Sequence, residues 1–279
     1  MTLRYEDLTA RNAGYIDAAT QVRIGSQRLL IAGCGIGSSL AICATRLGFR
    51  HFILADGDTV DTHNLNRQFY DAADVGQLKA EALRNHILRI NPEAQVEVVA
   101  ENLDEGNTDS IVARADIVFD TVDFLDLRAI LRLHESAHQH RKPVFTALSV
   151  GFGALVWYFP AEGTVTLPML LTGDIAAGGG GEAAYADVFA AFVGRIAPYL
   201  DQDVVEQIAR VLSLLKEGKP CPAPQVAVGS FSVAAMATSM IQDMLAGHQI
   251  PAAPEFVIQS FRTLRTQTVT PPNTAQAST

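Results

Sequence analysis

Gly33-Cys34-Gly35-Ile36-Gly37-Ser38 sets three glycines between an apolar run and a helix-forming one. There, main chain without Cβ atoms can approach a phosphate at a helix N-terminus. The third glycine comes one residue earlier than in the common dinucleotide fingerprint. Asp56 ends the next apolar run, 23 residues after Gly33, and suits the acceptance of hydrogen bonds from ribose hydroxyls. Gly33, Gly35, Gly37 and Asp56 indicate a nucleotide without saying which one. Beyond them the chain runs Asp56-Gly57-Asp58, then Asn64-Leu65-Asn66-Arg67-Gln68, then Gly76-Gln77-Leu78-Lys79. Hydride transfer has no use for an arginine and a lysine converging past a ribose carboxylate. Cleavage of a triphosphate does, because charge builds up on the phosphates as the bond breaks.

Further chemistry-bearing groups follow. Asp120-Thr121-Val122-Asp123, with Arg128 after it, closes a later apolar run, and Arg11-Asn12 precedes the first one. Read singly, Lys79 and Arg67 are surface cations and Asp123 a helix cap; their joint occurrence in order is what points to a site. His134-Glu135-Ser136-Ala137-His138 is H-E-x-x-H, which on a helix sets two imidazoles one turn apart beside a glutamate, as in zinc peptidases. Zinc needs a third protein ligand, yet no histidine lies between His140 and His248, and Glu162 is the one carboxylate shortly downstream. Solvated histidines on a helix surface are expected instead. Cys34, Cys43 and Cys221 form no CxxC pair, which leaves no disulfide framework. The first two read as small core residues, whereas Cys221 falls in a proline-rich loop.

The elements that must position these groups follow from periodicity. Arg28 to Gly33, His51 to Asp56, Gln95 to Ala100, Asp116 to Asp120 and Pro143 to Ser149 read as strands. Ser38 to Leu47, Gly76 to Ile90 and the segment before Pro143 read as helices. This alternation predicts an α/β fold, a doubly wound, mostly parallel Rossmann-like sheet. After Pro160 the rhythm changes. Thr172 to Gly181 reads as a flexible loop, Tyr185 to Lys216 as inserted helix, Val226 to Leu245 as a small-residue helix on the sheet, and Glu255 to Val269 as an edge strand. The expected organisation is a nucleotide-binding domain over 1–171 and 222–270, an inserted segment at 172–221 and a disordered tail at 271–279.

Composition bounds the rest. The 279 residues are 48% apolar and 18% charged, enough for one large core. Net charge is −9, from 21 basic and 30 acidic side chains, which offers no attractive field to nucleic acid or an anionic membrane. No run reaches the roughly 20 apolar residues of a membrane span, and no apolar stretch follows the N-terminal charge. A cytoplasmic protein is expected.

Taken in order, the glycine-rich loop, D-x-D, N-x-x-R-Q, G-x-x-K and D-x-x-D resemble the adenylating domain of the ThiF/MoeB/HesA proteins and ubiquitin-activating enzymes. The resemblance covers roughly Tyr5 to Phe159, with a weaker echo from Val226 to Gly247. It implies ATP-dependent adenylation of a carboxylate, usually the C-terminal glycine of a small ubiquitin-like or sulfur-carrier protein. On that basis Arg67 and Lys79 clamp the phosphates, Asp120 holds Mg²⁺ and Asp56 holds the ribose, with Asp58, Asn64 and Gln68 among the nucleotide contacts. Arg11 would reach the neighbouring subunit's phosphates in a homodimer, and Cys221 would capture the acyl group. The alternatives are an NAD-dependent Rossmann oxidoreductase, in which Arg67, Gln68 and Lys79 lack a role, and an ATP-binding scaffold without turnover. Three departures from the family pattern stand out. The spacing from the glycine loop to Asp56 is a residue short, and Phe124 replaces an asparagine. The paired CxxC motifs are missing, so no structural zinc is expected.

Overall fold

Apolar runs bounded by glycine or an acid become the centre of the sheet. In the computed structural model, which describes residues 4–124, 126–172, 190–219 and 223–271, the chain opens with two helices, α1 (Tyr5–Thr9) and α2 (Ala18–Ser26). Five parallel strands follow: β1 (Arg28–Ala32), β2 (His51–Ala55), β3 (Gln95–Val99), β4 (Ile117–Asp120) and β5 (Val144–Ser149). They lie in the order β3-β2-β1-β4-β5. The strand order therefore reverses between β1 and β4, where doubly wound sheets open a crevice at their carboxyl ends. The crossovers are α3 (Gly37–Leu47), α4 (Lys79–Ile90), α5 (Thr108–Ala113) and α6 (Leu127–Gln139).

Two apolar layers cover the sheet. On one face α2, α3 and α4 bury Ile24, Leu40 and Leu83 against Leu29, Ile31, Phe52 and Leu54. On the other, α5 and α6 bury Ile111, Ile130 and Leu133 against Leu30, Ile53 and Val118. Each such side chain contributes about 1.5–3 kcal/mol by leaving water. The doubly wound reading holds. After α7 (Leu167–Thr172), the helical residues 190–196 (α8) and α9 (Gln202–Lys216) join the second layer through Phe192, Ile196 and Val204. The small-residue helix α10 (Ala227–Ala246) joins the first through Val233, Ala237 and Ile241.

The strand expected over Pro143 to Ser149 forms as β5, but a further strand was not expected: β6 (Gly153–Phe159) returns antiparallel to β5 after the chain reverses at Gly151 (φ +59°), with Ala147 opposite Val156. Glu255 to Val269 is likewise a hairpin, β7 (Phe256–Ser260) and β8 (Arg265–Val269), added antiparallel beyond β6. Its turn passes through Leu264 at φ +55°, with no glycine, proline or asparagine among Phe261 to Leu264 to signal it. The glycine-rich loop after Thr172, Cys221 and the tail after Pro271 lie outside the described residues. Among the described residues no helix is long and apolar enough to cross a membrane.

Candidate active site

The phosphate loop is shaped by close backbone packing. Gly33 leaves β1 at φ +89°, and a Cβ there would stand 2.3 Å from the carbonyl oxygen of Thr121, beyond the adjacent β4. A Cβ on Gly37 would meet both Ile31 Cγ2 and Thr121 Oγ1 at 2.7 Å, so this glycine lets α3 seat on the sheet. Ser38 Oγ donates to Gly35 O at 2.6 Å and accepts from Phe69 N at 2.8 Å, and Tyr70 Oη donates to Cys34 O at 2.7 Å. The loop is thus tied to the segment that carries Arg67 and Gln68. The first turn of α3 has no side-chain cap, and its Ser38 and Ser39 amides bond to the Gly35 and Ile36 carbonyls at 3.2 and 3.1 Å, so its positive end faces the loop.

Asp56 ends up 8% exposed, with Oδ2 accepting from Cys34 N at 2.7 Å and Oδ1 from Asp58 N at 2.8 Å. Burial raises its pKa, against the opposing pull of Lys79 and the two amides. Burial also pushes the Cys34 thiol well up, as expected of a core cysteine rather than a nucleophile. Lys79 opens α4, with its amide donating to Asp58 O at 2.9 Å and its ammonium 2.7 Å from Asp58 Oδ2. Its side chain is only 10% exposed, so the solvated surface lysine that a single-residue reading gives is not what folds. A nearly buried ammonium beside a glycine-rich loop has the chemistry to receive an anion.

Asn64, 4% exposed, accepts from Asp61 N at 2.9 Å, and its carbonyl receives Arg67 N and Gln68 N. Its side chain therefore builds the turn that presents the next two side chains. Arg67 Nη1 donates to His63 O at 2.7 Å and to Asn66 Oδ1 at 2.9 Å. Burial lowers the arginine's pKa, and the charge of Asp123 opposes that shift. Gln68 lies against Gly35, where a Cβ would be 3.2 Å from its Nε2, and its Oε1 is buried without a partner among the described residues. An acceptor left unpaired against the glycine-rich loop is chemistry left for a hydrogen-bond donor of a ligand.

Asp120 is 2% exposed at the end of β4. Its Oδ2 lies 3.1 Å from both His134 Nε2 and Thr146 Oγ1, and its Oδ1 accepts from Val122 N at 3.2 Å. The expected solvated histidine pair on α6 is therefore half wrong. His138 and Glu135 are exposed, but His134 is 6% exposed and turned toward the sheet. The cap of α6 is Asp126, which accepts from Ala129 N, and Asp123 is exposed on the turn before it. Phe124 stacks on Phe192 of α8 at 6.0 Å, so the residue that departs from the family pattern anchors the inserted helix. Arg11 is exposed and has no hydrogen bond or ion pair among the described residues. Its neighbour Asn12 donates to Leu47 O at 2.9 Å, at the far end of α3 from the loop. At 1.5 Å per residue that end is roughly 15 Å away, so the structure does not bring Arg11 to its own chain's phosphate loop.

A family model for the ThiF family matches residues 9–277. The chain belongs to the ThiF family. It is similar to the sulfur carrier protein ThiS adenylyltransferase of Escherichia coli (strain K12), 30% identical over 134 residues that cover 48% of this chain and 53% of that protein. It is also similar to the probable molybdopterin-synthase adenylyltransferase of Gracilaria tenuistipitata var. liui, 34% identical over 131 residues, 46% of this chain and 36% of that one. The match thus spans about half or less of these relatives' lengths. Among solved structures the fold is shared with PaaA (TM-score 0.67, 19% identity, 95% of this chain and 79% of that one). It is shared too with Escherichia coli MccB crystallised with ATP (TM-score 0.65, 17% identity, 98% and 71%). Sequence reasoning missed Ser38, Tyr70 and His134 as parts of the site's frame. A serine opening α3 and a threonine and histidine flanking the Asp120 strand were the available signals.

Proposed function

We propose that this ThiF-family protein adenylates the C-terminal carboxylate of a small ubiquitin-like or sulfur-carrier protein, or of a peptide, with Mg²⁺ and ATP, releasing pyrophosphate. The observation that carries this is Lys79, a nearly buried ammonium paired with Asp58, beside a glycine loop that Gln68 packs against with its Oε1 unpaired among the described residues. The names of the adenylyltransferase relatives and of the MccB complex with ATP support it.

In this account the N-terminus of α3 and the Nε2 amide of Gln68 receive phosphate oxygens, Gln68 Oε1 accepts from a donor of the nucleotide, and Asp56 accepts from a ribose hydroxyl. A carboxylate oxygen of the acceptor bonds to the α-phosphorus while the bond from that phosphorus to the bridging oxygen breaks, and the electron pair leaves with pyrophosphate. Lys79 and Arg67 neutralise the charge that collects on the departing group. Mg²⁺ would add charge neutralisation at the phosphate oxygens. Asp120, at the carboxyl end of β4 and oriented by His134, Thr146 and the Val122 amide, would hold the metal.

Arg11, far from its own loop, completes the site of the partner subunit in a cytoplasmic homodimer. Cys221 takes the acyl group from the adenylate. Segment 172–221 forms the acceptor-side insertion into the nucleotide-binding domain.

ATP–pyrophosphate exchange tests the proposal, with a small protein ending in Gly-Gly from the same genome as acceptor. Exchange that requires both the acceptor and Lys79 is expected. Exchange that persists in Lys79→Ala would overturn the assignment.

A further inference from the structure

Arg67 is held from two directions. Its Nη1 is bound within its own turn, while its Nε donates to Gln225 Oε1 at 2.6 Å, 158 residues away in sequence. Asn66 Nδ2 adds a second tie, donating to the Gln225 carbonyl at 3.1 Å. Gln225 is half-buried and stands just before α10, where the chain returns from the inserted segment.

A guanidinium is a rigid plane, so fixing Nε and Nη1 fixes where Nη2 points. Nη2 itself makes no hydrogen bond among the described residues. The acceptor on Nε is a neutral amide. A carboxylate in its place would hold the plane equally well but cancel the charge that a phosphate needs.

We propose that Gln225 is a positioning residue for nucleotide binding, orienting Arg67 so that Nη2 is presented to the β- and γ-phosphates of ATP. This rests on the reading of Arg67 as a phosphate clamp. Preorganisation of this kind saves the ordering of a long, rotamer-rich side chain at the moment of binding. It also places the residue that sets the clamp where the chain re-enters the nucleotide-binding domain, just after the inserted segment.

Calorimetric titration of Mg·ATP and of AMP into wild type, Gln225→Leu, Arg67→Ala and the double variant tests this, with melting curves alongside. Losing one charge-assisted hydrogen bond should weaken ATP binding by about tenfold. AMP binding, which lacks the β- and γ-phosphates, should stay unchanged. In the Arg67→Ala background the Gln225 substitution should cost nothing further. Wild-type ATP affinity in Gln225→Leu, or an equal loss with and without Arg67, would overturn the inference while leaving Arg67 as a clamp. If Arg67→Ala itself binds ATP normally, the clamp reading fails and this inference falls with it.

Discussion

Lys79 Nζ and Asp58 Oδ2 are 2.7 Å apart, yet the lysine side chain is 10% exposed and the aspartate 61%. The ammonium's partner therefore stands at the solvent side, where it can yield to an incoming phosphate at little cost. Lys79→Ala should lower pyrophosphate exchange by roughly 100-fold, the scale of losing one preorganised transition-state donor. Asp58→Ala should lower it less than Lys79→Ala does and leave the melting point nearly unchanged. Steady-state exchange rates beside melting curves check both. Equal losses in the two variants would mean that the ion pair, not the lysine, is what matters.

Below the loop, His134 holds a carboxylate that has no access to water. Removing one partner of such a buried hydrogen-bonded pair leaves the other less satisfied, at about 1–3 kcal/mol. His134→Ala should therefore lower the melting point by several degrees, whereas His138→Ala, on the exposed side of α6, should leave it unchanged. Zinc bound stoichiometrically by purified protein and lost in both variants would instead revive the peptidase-like reading.

Stability should depend on acid through Asp74. Burial alone would push this carboxyl up, but the amide of Asp71 and the His86 imidazole, 2.6 Å from Oδ2, outweigh it and hold the group below its ordinary value. A carboxyl lowered on folding adds stability above its unfolded pKa, near 4, that is lost as pH falls through the lower folded value. Asp74→Asn should thus melt below wild type at pH 7, with the gap closing as pH drops below about 4. A gap that is constant with pH would show that the difference is packing rather than charge.

Because Arg11 lies far from its own loop, mixing Arg11→Ala with Lys79→Ala chains should restore part of the exchange activity, since one site of each mixed dimer regains both groups. Mixed dimers without any rescue would mean that Arg11 plays no part across the interface.

Much of this was legible in the sequence, for identifiable reasons. The strands from β1 to β5 announce themselves as apolar runs stopped by Gly33, Asp56 or Asp120, and Gly33 and Gly37 sit where a Cβ would collide. What stayed hidden depends on tertiary neighbours. Lys79 is buried where its carbonyl receives Tyr70 Oη and its ammonium pairs with Asp58, and nothing local distinguishes it from a surface lysine. His134 meets Asp120 and Thr146 because α6 packs its inner face on β4 and β5, whose register sets those two residues side by side. The turn at Leu264 carries no turn residue. The tie between Gln225 and Arg67 joins segments that periodicity cannot relate.

The central claim is that a carboxylate oxygen bonds to the α-phosphorus of ATP. The direct measurement uses an acceptor protein carrying ¹⁸O in its C-terminal carboxylate, incubated with the protein, Mg·ATP and hydroxylamine as trap, with AMP recovered for mass spectrometry. Attack of the trap on the acyl carbon must leave one labelled oxygen on each AMP. AMP that carries one ¹⁸O per turnover is the predicted result; unlabelled AMP, or ADP as the product, would contradict the account.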